Sequence, residues 1–459
     1  MNAIVISAVW GVVMMFSGVF SKNNSAIRAV ALIGLAGLLV LNFMDMAGTH
    51  LFTIDVKNML YFDNFGFLFN AVAFGSTLIY FLLSGRDLAK VGLNVAEYYA
   101  LIFFILCGIA IASSFNSLLL LFLGIEIISI PLYILTGSDK RNLKSNEASL
   151  KYFLMGAFST GLMLMGITLI YGARGTFNLD AIRATTTTLT PMMSAGLLLL
   201  LFSMAFKVSA APFHFWTPDV YDGAPTVFTS FMATIVKAAV FIAFIRLFEG
   251  CFADVHQQWQ LMVAIITAAT LFIGNITAVF QQSVKRMLAY SSIAQAGFML
   301  FALLALTGTA KEGLLYYTAA YSLATIGIFA VLIKMKDYTF EGFNGLAKRQ
   351  PVLAATNTIF LLSLAGIPAT AGFWAKFYML RVAVNDGHLM WLVIVGILCA
   401  AISVYYYFRV IQAMYFKEGD AQDIETSPVF KGVLICIAAI VILLGIFPEW
   451  LIDKLYFFM

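Results

Sequence analysis

Four charged residues lie inside long apolar stretches of the chain, where charges are rare: Glu126, Lys207, Lys237 and Lys376. A charged side chain at the centre of a bilayer costs about 2.5–3.5 kcal/mol on insertion scales, so residues of this kind usually serve a function. Burial disfavours the ammonium form of a lysine, whereas a nearby carboxylate favours it. A row of such lysines linked by water could therefore bind and release protons, with Glu126 as the natural partner of Lys207.

Two simpler interpretations of these charges stay open. A lysine near the end of a helix can extend its ammonium group to the membrane surface, and Lys376 lies toward one end of its apolar stretch. A lysine and a glutamate can also form a static pair that only fixes helix packing. Both interpretations are weakest for Lys237, which lies well inside its stretch.

Residues that break helices interrupt two of the lysine-bearing stretches. Pro212 interrupts FKVSAAPFHFWTPDVYDGAP (206–225), and Pro368 interrupts LSLAGIPATAGFWAKF (362–377). A proline removes a backbone donor and clashes with the preceding turn, so both helices should break. Paired broken helices favour an ion pathway near the membrane midplane, although simple packing kinks would give the same pattern.

Polar residues near these stretches allow weaker interpretations. His214 follows the first break and could relay protons, or it could only bond a loop carbonyl. Asp219 and Asp222 follow in the same loop, where they could shape an opening or cap a helix. Lys285 and Arg286 precede an apolar stretch and are most simply anchors at the membrane surface.

The composition predicts a polytopic membrane protein. Of the 459 residues, 62% are hydrophobic and 11% charged, whereas soluble proteins carry about 25% charged residues. The net charge is only +4, and no basic run indicates nucleic-acid binding. The four cysteines and four histidines are scattered singly, without Cys-x-x-Cys or His-Glu-x-x-His spacing. We therefore expect no metal, nucleotide or redox cofactor in this chain.

A bilayer core of about 30 Å needs about 20 apolar residues per helix. By this measure the sequence predicts an all-α fold with about fourteen spans, at 2–20, 27–48, 64–84, 96–114, 116–137, 149–172, 191–211, 225–248, 258–280, 287–306, 312–333, 352–382, 389–415 and 429–450. The first span lacks a basic leader and an Ala-x-Ala site, so we expect a retained helix.

The two interrupted spans, the seventh and the twelfth, are five spans apart. This spacing predicts two five-helix units of opposite orientation within one integral membrane domain. The expected divisions are N-terminal helices in 1–95, the two units in 96–248 and 258–415, and a C-terminal helix in 429–459.

The distribution of basic residues predicts the orientation. About 17 of the 27 Lys and Arg residues lie in the connections on one side of the predicted spans, about 7 lie on the other side, and 3 lie within spans. Because basic loops stay in the cytoplasm, both termini should face the periplasmic side.

Several motifs together resemble the N subunit of bacterial respiratory complex I, one of its antiporter-like membrane subunits. They are the two interrupted segments, the helix of Lys237, KRMLAYSSIAQ (285–295) and the Gly-Ile-Glu that ends at Glu126. The resemblance extends from about residue 60 to the C-terminus. Sister subunits usually carry a histidine-bearing segment after the Pro-Asp of the loop between spans 7 and 8, and its absence here favours the N type.

The resemblance implies that Glu126, Lys207, Lys237 and Lys376 translocate protons. Many relatives have a histidine in the span 10 segment, where this chain has Ala294 and Gln295. Glutamine can hold a water molecule but cannot take up a proton near neutral pH, so a relay role for Gln295 is in doubt.

The resemblance also implies the setting of the protein. It would be a proton-translocating subunit of an NADH:quinone oxidoreductase in the bacterial inner membrane, with FMN, iron–sulfur clusters and quinone in partner subunits. Other membrane subunits would contact it on two flanks, together with lipids. Two alternatives stay open, namely a subunit of a multi-subunit cation/proton antiporter and an assembly scaffold with a vestigial channel.

Overall fold

The computed structural model describes residues 1–52, 57–186, 188–385, 387–419, 424 and 426–458. Within these ranges the chain is helical and has no strand. The helices of the first half are α1 (Asn2–Phe20), α2 (Asn24–Met46), α3 (Asn64–Ser84), α4 (Leu88–Val91), α5 (Val95–Ala112), α6 (Leu118–Thr136), α7 (Leu143–Arg174), α8 (Leu179–Thr185), α9 (Pro191–Lys207), α10 (Trp216–Gly223) and α11 (Thr226–Phe231).

The second half begins with a five-residue π-helix, Met232–Val236, that joins α11 to α12. The helices that follow are α12 (Lys237–Phe252), α13 (His256–Val279), α14 (Val284–Ala305), α15 (Gly308–Leu332), α16 (Leu346–Arg349), α17 (Pro351–Ala365), α18 (Ala371–Asn385), α19 (Met390–Phe416), α20 (Pro428–Ile446) and α21 (Glu449–Phe458). Short 3₁₀ turns lie at Ala253–Val255 and Glu341–Phe343.

The predicted all-α polytopic fold is confirmed. In the described part of the chain, eleven helices are long and apolar enough to cross a membrane. The predicted count of fourteen is not confirmed. One of the eleven, Thr226–Val279, contains two predicted spans. Its 54 residues would extend about 80 Å, more than twice the bilayer core, and the 3₁₀ turn Ala253–Val255 divides it between α12 and α13. In addition, α9 and α17 are too short to qualify, because the predicted spans that contain them are interrupted.

The two predicted helix breaks are present. α9 ends at Lys207 and α10 begins at Trp216, whose indole N–H donates to the carbonyl of Phe206 at 3.0 Å. α17 ends at Ala365, followed by Gly366 with a φ of +84°. This left-handed conformation closes helices readily at glycine, which has no Cβ to clash.

The centre of the bundle consists of α11, the π-helix, α12, α14 and α15, which are almost entirely buried, whereas α13 exposes part of its apolar surface, for example at Leu261 and Ile265. α1 and α2 instead expose much of their apolar surface, as expected for helices that face lipid. The predicted division at 1–95, 96–248, 258–415 and 429–459, and the opposite orientation of the two units, stay predictions. Residues 53–56, 187, 386 and 459, which fall within these predicted ranges, lie outside the described residues.

Candidate functional site

Glu126 of α6 and Lys207 at the end of α9 face each other. Lys207 Nζ lies 3.9 Å from Glu126 Oε1, and Thr160 of α7 lies between them. The Thr160 hydroxyl donates to Glu126 Oε1 at 2.7 Å and accepts from Lys207 Nζ at 3.3 Å. Lys207 also donates to the Ser129 hydroxyl at 2.9 Å. The pair expected from the sequence is therefore present. The Thr160 hydroxyl bridges the two charged groups, which do not form a direct hydrogen bond with each other.

Lys237 is held by neutral groups. Its Nζ donates to the carbonyl and the hydroxyl oxygen of Ser292, at 2.9 and 3.0 Å, and lies 5.8 Å from the centre of the Tyr221 ring. Its side chain is buried in the centre of the bundle. Within the described residues no carboxylate pairs with it, so its charge is balanced only by dipoles and a ring face. Such an ammonium is sensitive to any charge that approaches.

The π-helix Met232–Val236 ends directly before Lys237. π-helical turns are rare and often mark functional sites. The sequence did not predict this irregularity, because it involves neither proline nor glycine.

Lys376 extends back toward the second helix break. Its Nζ donates to the carbonyl of Ala365, the last residue of α17, at 2.8 Å, and to the Ser403 hydroxyl at 3.5 Å. The final carbonyls of a helix have no partner within it and carry partial negative charge, so they suit a cation. The side chain is only 6% exposed, which argues against extension to the membrane surface. A Cβ on Gly366 would lie 2.9 Å from Lys376 Cδ.

Polar side chains along α14 lie between the Lys237 and Lys376 sites. The Gln295 amide donates to the Leu364 carbonyl at 3.1 Å and to the Tyr407 hydroxyl at 3.3 Å, and it accepts from the Tyr317 hydroxyl. Tyr407 also contacts the hydroxyl of Ser291, the neighbour of Ser292. Leu364 immediately precedes Ala365, the residue that binds Lys376. Gln295 thus lies between the two lysine sites, bonded to two phenols.

The other sequence candidates lie apart from this row. His214 is buried and stacks on Phe215, with ring centres 4.6 Å apart. No hydrogen bond or ion pair of the described residues joins it to the four charges. Asp219 instead bridges Lys151 and Arg286, each at 2.9 Å. Burial acts to raise the pKa of Asp219, but these two cations hold it below its usual value.

The simple surface-anchor interpretation fits Arg286 but not its neighbour. Arg286 is 34% exposed and ion-paired, whereas Lys285 is only 3% exposed. Lys285 lies at the start of α14, as the sequence suggests, but the end of α10 and the ring of Tyr338 pack against it and bury it.

Sequence reasoning missed Thr160, Ser129, Ser292, Tyr317 and Tyr407. Serine, threonine and tyrosine are common in apolar helices, where they often bond only the preceding turn, so no signal distinguished them. Among the described residues, no group of three or more His, Cys, Asp or Glu side chains could hold a metal ion.

Comparison with known proteins gives the family. Residues 115–403 match the family model described as NADH:quinone oxidoreductase/Mrp antiporter, TM. The NADH-quinone oxidoreductase subunit N of Cytophaga hutchinsonii is 41% identical over 99% of both chains. That of Trichlorobacter lovleyi is 38% identical over 98% of this chain and 94% of its own.

Comparison with a solved structure leads to the same family. A chain of respiratory complex I from Thermus thermophilus, solved with bound aureothin, is similar with a TM-score of 0.85, 30% identity and 99% coverage of both chains. The resemblance of the motifs to the N subunit is therefore confirmed over nearly the whole chain. This chain belongs to the family of NADH-quinone oxidoreductase subunit N, the antiporter-like membrane subunits of respiratory complex I.

Proposed function

We propose that this chain translocates protons for an NADH:quinone oxidoreductase through Glu126, Lys207, Lys237 and Lys376. One observation carries the proposal: Lys237 and Lys376 are buried, the Lys207 side chain is only 7% exposed, and hydroxyl, phenol, amide and carbonyl groups line the way from Lys237 to Lys376. Each lysine also lies beside a helix irregularity, and at one of these Lys376 donates to a backbone carbonyl.

In the proposed cycle a proton reaches the neutral amine of Lys237 from the cytoplasmic side. Movement of Lys207 between Glu126 and a position closer to Lys237 controls when that amine binds a proton, because like charges repel. The proton then passes along the polar side chains of α14 to Lys376. Gln295 cannot carry it, so water ordered by Gln295 and its two phenols would do so.

Release would occur at the opposite face. A small cavity of about 100 Å³, lined by Glu312, Tyr378 and Arg381, opens there. Arg381 follows Lys376 on α18 by little more than one turn, so a proton leaving Lys376 has a polar outlet nearby.

The charge pair is strong enough to drive this cycle. Moving one charge against 100 mV requires about 2.3 kcal/mol. At an effective dielectric constant of about 20, charges separated by the 3.9 Å of Lys207 and Glu126 attract by about 4 kcal/mol. Forming or breaking this pair could change the proton affinity of a neighbouring lysine about 100-fold, which is about 2.7 kcal/mol.

The proposal extends to the cofactors, the partner subunits and the orientation of the chain in the membrane. FMN, iron–sulfur clusters and quinone would lie in partner subunits, so this chain would act as a translocase subunit without its own redox cofactor. Other membrane subunits would pack on two flanks, with lipid elsewhere. The protein would lie in the bacterial inner membrane with both termini on the periplasmic side, in keeping with its distribution of basic residues.

Lys237→Ala in the assembled complex tests the central role. We expect proton pumping to be lost or strongly reduced while the amount of assembled complex stays normal. Lys348→Ala is a matched control, because Lys348 is an exposed lysine of the same chain. Normal pumping by Lys237→Ala would exclude the proposed cycle.

The alternatives make distinct predictions. An assembly scaffold predicts that Lys207→Ala and Lys376→Ala are silent once assembly is shown to be normal. A cation/proton antiporter without redox partners predicts that the purified protein lacks quinone-site and cluster-bearing subunits.

A further inference from the structure

A cavity of about 350 Å³, here called the vestibule, opens on the face predicted to be cytoplasmic. Residues at the connections that follow the predicted spans 3, 5, 7, 9 and 11 all line it, so these connections converge on one face. The charged residues of its lining are Asp87, Lys90, Asp139, Lys144, Asp222 and Lys285.

Lys285 is the buried lysine of the vestibule. Its Nζ donates to the carbonyls of Asp222 and Ala224, at 2.8 and 2.7 Å, and lies 5.4 Å from the centre of the Tyr338 ring. Within the described residues no carboxylate pairs with it, whereas Lys90 of the same lining pairs with a carboxylate at 2.8 Å. Carbonyl dipoles and a tyrosine ring thus contact Lys285 directly, as a carbonyl, a hydroxyl and a ring contact Lys237, while the charges of Asp222 and Lys144 lie nearby in the same lining.

Two structural links join Lys285 to Lys237. The last turn of α10 contacts both, because the ring of Tyr221 lies against Lys237 and the carbonyl of Asp222 binds Lys285. Lys285 also lies seven residues before Ser292 on α14, which places both side chains on one helix face about 10 Å apart. Ser292 is the residue that holds Lys237.

A third feature lies between the vestibule and Lys237 along the chain. Thr226 lines the vestibule, and Ser230 follows it by one helical turn. The buried Ser230 hydroxyl has no hydrogen-bond partner among the described residues. Buried polar groups of this kind are commonly satisfied by ordered water, which could carry a proton toward Lys237.

We propose that Lys285 takes up protons from the vestibule and delivers them to Lys237. The neutral amine of Lys285 binds a proton from vestibule water. The resulting ammonium gives that proton, through intervening water or hydroxyl groups, to the neutral amine of Lys237 and returns to its amine form. One proton moves, and no other group changes. The inference rests on the proposed function, in which Lys237 carries the proton onward.

A purely structural role makes a different prediction. The ammonium could serve only to bind the carbonyls at the end of α10, where a helix favours a cation. An arginine would satisfy those carbonyls, but it does not release its proton in proteins. Lys285→Arg therefore separates the two roles.

The experiment compares Lys285→Arg, Lys285→Met and the control Lys334→Arg in assembled complex, in inside-out vesicles energised with NADH. Lys334 is a suitable control because it is a partly buried lysine on the same face, paired with Asp87 at 2.6 Å. We expect Lys285→Arg to assemble normally and to pump about tenfold more slowly or worse. This loss is smaller than the roughly 100-fold often seen for a positioned proton-transfer group, because water in an open cavity can partly replace it. Lys334→Arg should pump normally.

The second readout is the pH dependence of pumping by Lys285→Arg, which can be measured whether or not Lys285→Met folds. If direct uptake from water limits Lys285→Arg, its pumping rate should rise by up to about tenfold per pH unit of acidification on the vestibule side. The wild type should respond far less. Normal pumping by Lys285→Arg, or a slow rate without this pH response, would overturn the inference.

Lys237→Arg distinguishes this inference from the proposed function. If Lys237→Arg stops pumping and Lys285→Arg does not slow it, only the uptake role of Lys285 is wrong. If neither variant alters pumping, the proposed function itself fails.

Discussion

The hydroxyl bridge between Glu126 and Lys207 gives the sharpest test of the proposed charge switch. Thr160→Val removes the hydroxyl with almost no change in volume. Because valine has nearly the shape of threonine, the substitution should leave no cavity at this buried position. Any effect should therefore come from the lost hydrogen bonds.

The structure sets the expected magnitude. Thr160 makes two hydrogen bonds to charged groups, a short one of 2.7 Å to Glu126 and a longer one of 3.3 Å to Lys207. A hydrogen bond to a charged group contributes about 1.5–3 kcal/mol. Because the second bond is long, we assign about 2 kcal/mol to the bridge as a whole. This corresponds to about a 30-fold change in the balance between paired and separated states.

The assay is NADH-driven proton translocation in membrane vesicles, normalised to assembled complex. We expect pumping by Thr160→Val to fall about tenfold, because direct attraction between the charges remains and limits the loss. Thr160→Ser is the matched control, since it keeps the hydroxyl, and it should retain most of the activity.

Two results would refute this reasoning. Normal pumping by Thr160→Val would show that the bridge is not used. Equal losses in Thr160→Val and Thr160→Ser would assign the effect to packing. A double-mutant cycle with Glu126→Gln adds a further check, because the loss on Thr160→Val should shrink when the carboxylate charge is already absent.

Three other predictions follow from the structure. Gln295→Leu should lower pumping several-fold, because it removes the amide that joins two phenols to a carbonyl near Lys376, whereas Gln295→His should keep most of the activity; pumping assays of both variants test this. Gly366→Ala should lower both assembly and pumping, measured together by native gel and vesicle assay, because alanine at a φ of +84° costs about 1–2 kcal/mol and its Cβ would press on Lys376. Asp219→Asn should leave the pH profile of pumping unchanged between about pH 5 and 8. The lowered pKa keeps Asp219 ionised in this range, and the stabilisation from its ion pairs is lost only at more acidic pH. A shift of the acid limb in this variant would contradict a purely structural role for Asp219.

The class of fold could be predicted from the sequence because membranes impose a simple constraint. Every backbone polar group in the bilayer must bond within the segment, so long apolar runs must become helices. The breaks at Pro212 and Pro368 were also predictable, since proline removes a donor and clashes locally. The predicted number of spans is not confirmed, because the interruptions leave α9 and α17 shorter than a full membrane crossing.

The sequence by itself identified the residues that bear charge in an apolar setting, Glu126, Lys207, Lys237 and Lys376, because the cost of burying a charge is a property of the side chain and its neighbours in sequence. Tertiary structure alone decided what each charge contacts. The hydroxyl bridge, the serine that holds Lys237, the carbonyl that holds Lys376 and the burial of Lys285 all depend on residues of other helices or loops. Periodicity reports how apolar a helix face is, but only the packing of several helices determines which polar groups meet on it.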